Sequence, residues 1–478
     1  MGNTASVAGH GCLVSAVAGN SARVQVEGGP LLGLNGVHPY NLNFPVKPVA
    51  VTFPETSKQV ADIVKCATEY GYKVQARSGG HSYGNYGLGG MDGAVVVDMK
   101  NFKQFSMNKN TYTATIGPGL SMRELDMHLY NSGKRAMAHG ICPGVGVGGH
   151  LTIGGKGPTS RQWGLALDHI EEIEIVLSNY SIVKASDSLN PDIFFAVKGA
   201  AASYGVVTEF KVRTEPAQKQ AVQYSYTINL GSITERARLL RDWQAFVADP
   251  QLTRKFAGSL IVFPKSIVIT GIFYGTKDEY DSLGLEERFP KSNPGNIVIL
   301  TDSLAMTTNA VEDVVLGITT DIPWYFYSKS IGLSRKNLIP LSGMEDILNY
   351  LDGAPVGLDF WFVTFDLVGG AVNDYATNST GYPHREILIW VDAMLGGIII
   401  PTTKPQYDFL DGFWHAVIQA LPLPESDVPV YPGYVDPRLP NAQRHYWGPN
   451  LSRLGQIKAA VDPDDVFHNP QGVQVGRT

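Results

Sequence analysis

At 478 residues, with 44% hydrophobic and 17% charged residues, the chain has the composition of an ordered globular protein and exceeds one ordinary core, so two lobes are expected. The net charge of −6 is scattered without a long run of either sign, which argues against a polyanion-binding surface and against nucleic acid as a partner. The apolar runs AVVV at 94–97 and GGIII at 396–400 are strand-sized, well short of the ~20 residues a membrane span needs.

The opening MGNTASVAGHG has no basic start followed by an apolar core, so no secretory signal is expected; the location is intracellular if Met1 is the native start and extracellular otherwise. Gly2 and Ser6 fit the short myristoylation pattern, which chance also produces. Cys12, Cys66 and Cys142 are too few for a disulfide framework or a four-cysteine metal site, leaving at most one bridge and one special thiol.

Residues 57–71 place Val60, Ile63, Val64 and Ala67 at helical spacing behind Ser57 as cap, and 73–78 reads as a strand. Strands follow at 94–99 and 112–118, a helix at 121–133, and strands at 172–177, 181–186 and 206–212. From about 216 the texture changes to long alternating strands (358–368, 386–394) and amphipathic helices such as 233–248. The tail PDDVFHNPQGVQV is loop-like and too short to stand alone. The expected division is 1–215 for a first lobe, 216–424 for a second, and 425–478 returning to the first.

RSGGHSYGNYG at 77–87 follows a strand, and its adjacent glycines let successive N–H groups converge on an anion such as pyrophosphate. HGICPGVGVGGHLTIGGKG at 139–157 contains G-x-G-x-x-G, the nicotinamide-binding fingerprint, but Pro143 before it and Gly154, Gly155 and Gly157 after it preclude the regular helix that fingerprint needs. A nicotinamide-dependent dehydrogenase and a non-catalytic flavin-binding protein are the alternatives from other classes. His139, Cys142 and His150 are not assigned to a metal, because a catalytic zinc site recruits a carboxylate or a second cysteine.

RSGGHSYGNYGLGG and ICPGVGVGGH, with KGAAASYGVVTEFKV and the C-terminal YVDPRL and NPQ, resemble the paired motifs of the berberine-bridge-enzyme-like oxidases in the vanillyl-alcohol-oxidase superfamily, and most of all the fungal gluco- and chitooligosaccharide oxidases. The resemblance implies an α+β, two-lobed FAD-binding fold of the PCMH type with a sheet-plus-helices substrate domain. It also implies FAD held covalently, with His81 on the 8α-methyl and Cys142 on ring carbon 6. By the same resemblance Arg77, Ser78, Gly79, Gly80 and Ser82 hold the pyrophosphate. Gly148, Gly149, His150, Gly154 and Gly155 line the cofactor, Gly205 and Val207 give backbone contacts, and Asn469 or Gln471 closes over the ring. Val145 matches the small aliphatic residue of members that react with O2. Cys12 and Cys66 match a disulfide of secreted relatives.

Hydride removal from a carbinol needs a base within reach of the hydroxyl. The resemblance assigns that role to Tyr434, with Asp366 in support and with Tyr83, Thr364, Asp392 and Tyr431 on the substrate. Asp366, Thr364 and Phe362 alternate on one strand and so share a face. Where glucooligosaccharide oxidases carry glutamines on the sugar hydroxyls, this chain has Thr364 and Asp392. The expected reaction is oxidation of a carbinol or hemiacetal, foremost the anomeric hydroxyl of a mono- or oligosaccharide to a lactone, with O2 reduced to H2O2. A secondary-metabolite oxidase or oxidative cyclase is the alternative. The expected partners are a small-molecule substrate and O2, with no membrane span, and the chain acting as a monomer.

Overall fold

The computed structural model describes residues 2–26, 37–229, 231–264, 266–289, 295–301, 322–354 and 360–476, without the side chains of 2–8. Met1, the Ser6 side chain and residues 358–359 of the expected strand therefore lie outside the described residues.

Among the described residues a four-stranded sheet, ordered β1-β2-β4-β3, comprises β1 Val24–Val26, β2 Ala50–Thr52, β3 Val74–Arg77 and β4 Val95–Asp98. Both β2 and β3 run parallel to β4, which a helical crossover permits. That crossover is α2, Ser57–Glu69, preceded in the chain by α1, Gly2–Ala16. The cap of α2 is Thr56 and not Ser57: Thr56 has the extended backbone a cap requires, and its side chain accepts from the Gln59 N–H. Val60, Ile63, Val64 and Ala67 are buried as their spacing predicts, and a Cys12–Cys66 disulfide with Cα atoms 6.0 Å apart ties α1 to α2.

A five-stranded antiparallel sheet follows, ordered β5-β6-β9-β7-β8, from β5 Phe105–Asn108, β6 Thr113–Ile116, β7 Ile170–Val176, β8 Ile182–Ser186 and β9 Val206–Arg213. Between β6 and β7 lie α3, Met122–Asn131, closed by a Ser121–Glu124 capping box, and α4, Val147–His150. The latter is the single helical turn that the glycine loop allows.

The third sheet has seven strands among the described residues: β10 Ala221–Asn229, β11 Phe256–Val262, β12 Ser266–Phe273, β13 Asn296–Leu300, β14 Tyr325–Ser334, β15 Trp361–Leu367 and β16 Ile387–Gly397. Their order is β13-β10-β12-β11-β15-β16-β14. One face packs on helices Ile233–Val247, Leu341–Asp352 and Lys404–Gln419, so Trp361, Val363, Phe365 and Leu367 of β15 sit in the same core as Trp243, Leu348 and Phe413. The two-residue period of a strand then turns Phe362, Thr364 and Asp366 to the opposite face, where they line a cavity.

The tail returns to the first sheet: Val74 N donates to Val466 O at 2.8 Å, and Gln75 Nε2 to His468 O at 2.9 Å. A second tie joins distant parts of the chain. Arg385 Nη1 and Nη2 donate to Asp168 Oδ2 and Oδ1, both at 2.8 Å, with almost no exposure of either side chain. Removing one partner of such a pair leaves an uncompensated buried charge. Asp168→Ala is therefore expected to lower stability by about 3–5 kcal/mol, and Asp168→Ala/Arg385→Met to recover part of it, as read by denaturant unfolding.

Candidate active site

Two glycine loops meet backbone to backbone. A Cβ on Gly79 would stand 2.4 Å from Gly146 N, and one on Gly146 would stand 2.1 Å from Gly79 N, so neither position has room for a side chain. Ser78 Oγ, which donates to Pro118 O at 2.6 Å and accepts from Gly148 N at 3.3 Å, fastens the same junction. The contact brings the loops bearing His81 and Cys142 onto one cavity of about 680 Å³, within the range of small-molecule sites. His81 lies against Tyr40 with ring centroids 4.6 Å apart, and Cys142 is half-buried.

Val145, Gly148, Gly149, His150, Gly205 and Val207 line the cavity, as do Arg77, Gly80 and Ser82. Several do so with their polar groups engaged. Arg77 Nη1 donates to the buried Asp98 at 2.7 Å, and Ser82 Oγ accepts from Tyr86 N at 3.1 Å. His150 is pushed down to about 3 by burial and by the His139 and Lys156 charges, so it is neutral, and its Nε2 accepts from Gly140 N at 2.8 Å.

The remaining expected residues divide between the cavity and the turn behind it. Gly154 and Gly155 do not border the cavity; both have positive φ and shape the turn behind it, with the Gly155 N–H donating to Tyr431 at 3.0 Å. Gln471 and Asn469 line the cavity, and the Gln471 amide is held at both ends, by Tyr446 at 3.1 Å and Asp436 O at 2.7 Å. Asn469, its neighbour, accepts from the Gln471 N–H at 3.2 Å. Tyr431 borders the cavity while its hydroxyl oxygen accepts from Gly155 N and Lys156 N, pinning that turn.

The far wall comes from the seven-stranded sheet and the 431–434 loop. Tyr83 and Tyr434 stack with centroids 5.4 Å apart and planes 9° from parallel. Thr364 pairs with Asp392 across β15 and β16, and its hydroxyl donates to Asp392 O at 3.2 Å. Asp366 Oδ2 accepts from Lys156 Nζ at 2.5 Å and Oδ1 from Ser259 Oγ at 2.6 Å.

Lys156 is a candidate functional group that the motif reading missed; a charged residue between two glycines of the 139–157 loop was the signal available. Its ammonium stands 4.9 Å over the Tyr434 ring. Burial works to lower Lys156, but the Asp366 charge and hydrogen bond override it and raise it. Asp392, accepting from Ser328 Oγ at 2.8 Å, is raised by burial to about 7. Burial, followed by the Asp392 and Asp366 charges, pushes Tyr434 well above the ordinary phenol range.

A family model for an FAD-binding domain matches residues 48–186, and one for berberine and berberine-like proteins matches 430–474. The FAD-linked oxidoreductase sorD of Penicillium rubens is 37% identical over 466 residues, covering 97% of each chain. The chain belongs to the berberine-bridge-enzyme-like FAD-linked oxidases. The xylooligosaccharide oxidase from Myceliophthora thermophila, solved with xylobiose, superposes with a TM-score of 0.89 at 28% identity, covering 98% of this chain and 100% of that one. The glucooligosaccharide oxidase from Acremonium strictum, described as carrying 6-S-cysteinyl, 8α-N1-histidyl FAD, gives 0.87 at 27% identity over 98% and 100%.

FAD is thus the cofactor of this berberine-bridge-enzyme-like oxidase, and the residues present fit it. The glycine-bare junction lets backbone N–H groups come close to an extended anion, and the two side chains of the paired motifs border the same cavity. Gly79→Ala forces the loops apart; the expected result is a loss of about 1–3 kcal/mol of stability together with a lower flavin absorbance per mole of chain, measured by thermal melting and by visible spectra.

Proposed function

We propose that this oxidase takes hydride from a carbinol or hemiacetal carbon, with FAD anchored through His81 and Cys142, Tyr434 as the proton acceptor, and Lys156 and Asp366 governing its charge. The observation that carries the reading is the Tyr83–Tyr434 stack with the Lys156–Asp366 pair against it, on the cavity that His81 and Cys142 border. Residues 1–215 with 425–478 form the cofactor lobe in this reading, and 216–424 the substrate lobe.

FAD, when bound, supplies the hydride acceptor and is returned to its oxidised form by O2 with release of H2O2. The protein's task is the proton. A resting Tyr434 is a neutral phenol, since burial and two carboxylates oppose its ionisation. Lys156 is the cation at hand to stabilise the phenolate as the substrate hydroxyl docks. Asp366 keeps Lys156 charged, and Ser259 fixes Asp366.

For substrate, the similarity to xylo- and glucooligosaccharide oxidases supports the anomeric hydroxyl of a sugar, giving a lactone. A second reading, an apolar secondary-metabolite alcohol, is favoured by the outer wall. There Ile261, Trp324, Phe326, Phe362 and Met394 form one apolar cluster joined by Tyr40 and Tyr83, with Thr364 and Asp392 where a sugar would need longer hydrogen-bonding side chains.

H2O2 release across a panel of oligosaccharides and apolar carbinols tests both readings: sugars alone active supports the first, carbinols alone the second, and no flavin reduction by either overturns the oxidase reading. Tyr434→Phe should lower kcat by about 10²–10⁴-fold with flavin retained. The acid limb of kcat/KM should move to higher pH in Lys156→Met, which removes the stabilising cation, and to lower pH in Asp392→Asn, which removes a charge that holds the Tyr434 proton.

A further inference from the structure

We infer that His139 is an imidazolium, locked by Asp126, whose function is to seat the 139–142 segment so that Cys142 can form the second bond to FAD. The inference rests on Cys142 being that anchor.

Both ring nitrogens of His139 face acceptors: Nε2 is 2.7 Å from Asp126 Oδ1, and Nδ1 is 2.7 Å from Gly140 O. A carbonyl oxygen and a carboxylate cannot donate, so both nitrogens must carry hydrogen and the ring is a cation. Burial by itself would lower the imidazole, but the Asp126 charge and the two hydrogen bonds outweigh it and raise it. The partner histidine is of opposite character: neutral His150 receives the Gly140 N–H. The segment is further pressed from behind, since a Cβ on Gly157 would stand 1.7 Å from His139 O.

The placement of Asp126 gives the pair its purpose. Downstream of Cys142 the chain is fixed by the N-terminus of α3: Met122 N donates to Val145 O at 2.9 Å and Arg123 N to Pro143 O at 3.2 Å, which uses two otherwise unpaired helix N–H groups. Upstream, the same helix reaches the chain through Asp126 and His139. The helix α3 is thus a splint on both sides of Cys142, and the ion pair is its upstream fastening.

The bond replaces the Cys142 S–H and the ring C6–H. The two hydrogens, as two protons and two electrons, leave to dioxygen as H2O2. His81 attaches from the other loop and has no part in this clamp, so the two bonds are separable.

The test compares the parent with His139→Gln and Asp126→Asn, each produced with FAD, digested and weighed by mass spectrometry for the peptides containing His81 and Cys142. The expected result is flavin on both peptides of the parent, with the Cys142 peptide of each variant at least about tenfold less modified and the His81 peptide still carrying flavin, which itself reports a folded chain. Asp126→Glu, which keeps the carboxylate, should restore part of the Cys142 modification. Full modification of Cys142 in Asp126→Asn or in His139→Gln would overturn the inference. An unmodified Cys142 peptide in the parent would instead overturn the two-anchor reading on which it rests.

Discussion

The contact of Gly79 with Gly146 sets the distance from which everything in the site is measured. Two loops far apart in the chain touch through bare backbone, and a single methyl on either would collide with the other's amide nitrogen. Such an approach is open only to glycine. With the loops in contact, His81, two residues beyond Gly79, and Cys142, four residues before Gly146, come to border one cavity. The neighbouring fastenings serve that junction: Ser78 bridges Pro118 and Gly148, and α3 holds the carbonyls of Pro143 and Val145.

Across the cavity the governing quantity is charge in a place with little water. A buried ammonium is costly unless paired, and Lys156 is paired with Asp366, which Ser259 completes. Among the described residues the Asp392 side chain accepts from the Ser328 hydroxyl, and burial carries it to about 7. One wall therefore holds a carboxylate paired with a raised ammonium, a carboxyl pushed up to about 7, and a phenol held neutral. Groups pushed apart in proton affinity by their surroundings are the usual mark of a site where protons move.

The sequence made the local parts of this arrangement legible. Period-two strands, the buried face of α2, the cofactor loops and the His81 and Cys142 pair are all written within short windows. What was hidden depends on partners far along the chain. Lys156 gains meaning only from Asp366, 210 positions away, and Arg385 only from Asp168, 217 positions away. The cap of α2 shifted by one residue because Thr56 and Ser57 are equally good caps by type, and only the backbone decides between them. Gly154 and Gly155 were assigned to the cofactor by resemblance, while their positive φ serves a turn behind the cavity. Helix Lys404–Gln419 escaped notice because Pro405 opens it; proline is tolerated in a first turn, and Phe409, Phe413 and Val417 then keep helical spacing against the sheet.

The seven-stranded sheet explains how such a wall is fixed. Its helix-covered face carries the large apolar residues Trp361, Val363, Phe365 and Leu367 on β15, and Ile389, Val391, Ala393 and Leu395 on β16. A slip of one residue in either strand would drive Asp366 or Asp392 into that core and turn aromatic side chains toward the cofactor, so packing on one face enforces the register of the other. Tyr434, carried on a separate loop and not on the sheet, is placed instead by its stack on Tyr83.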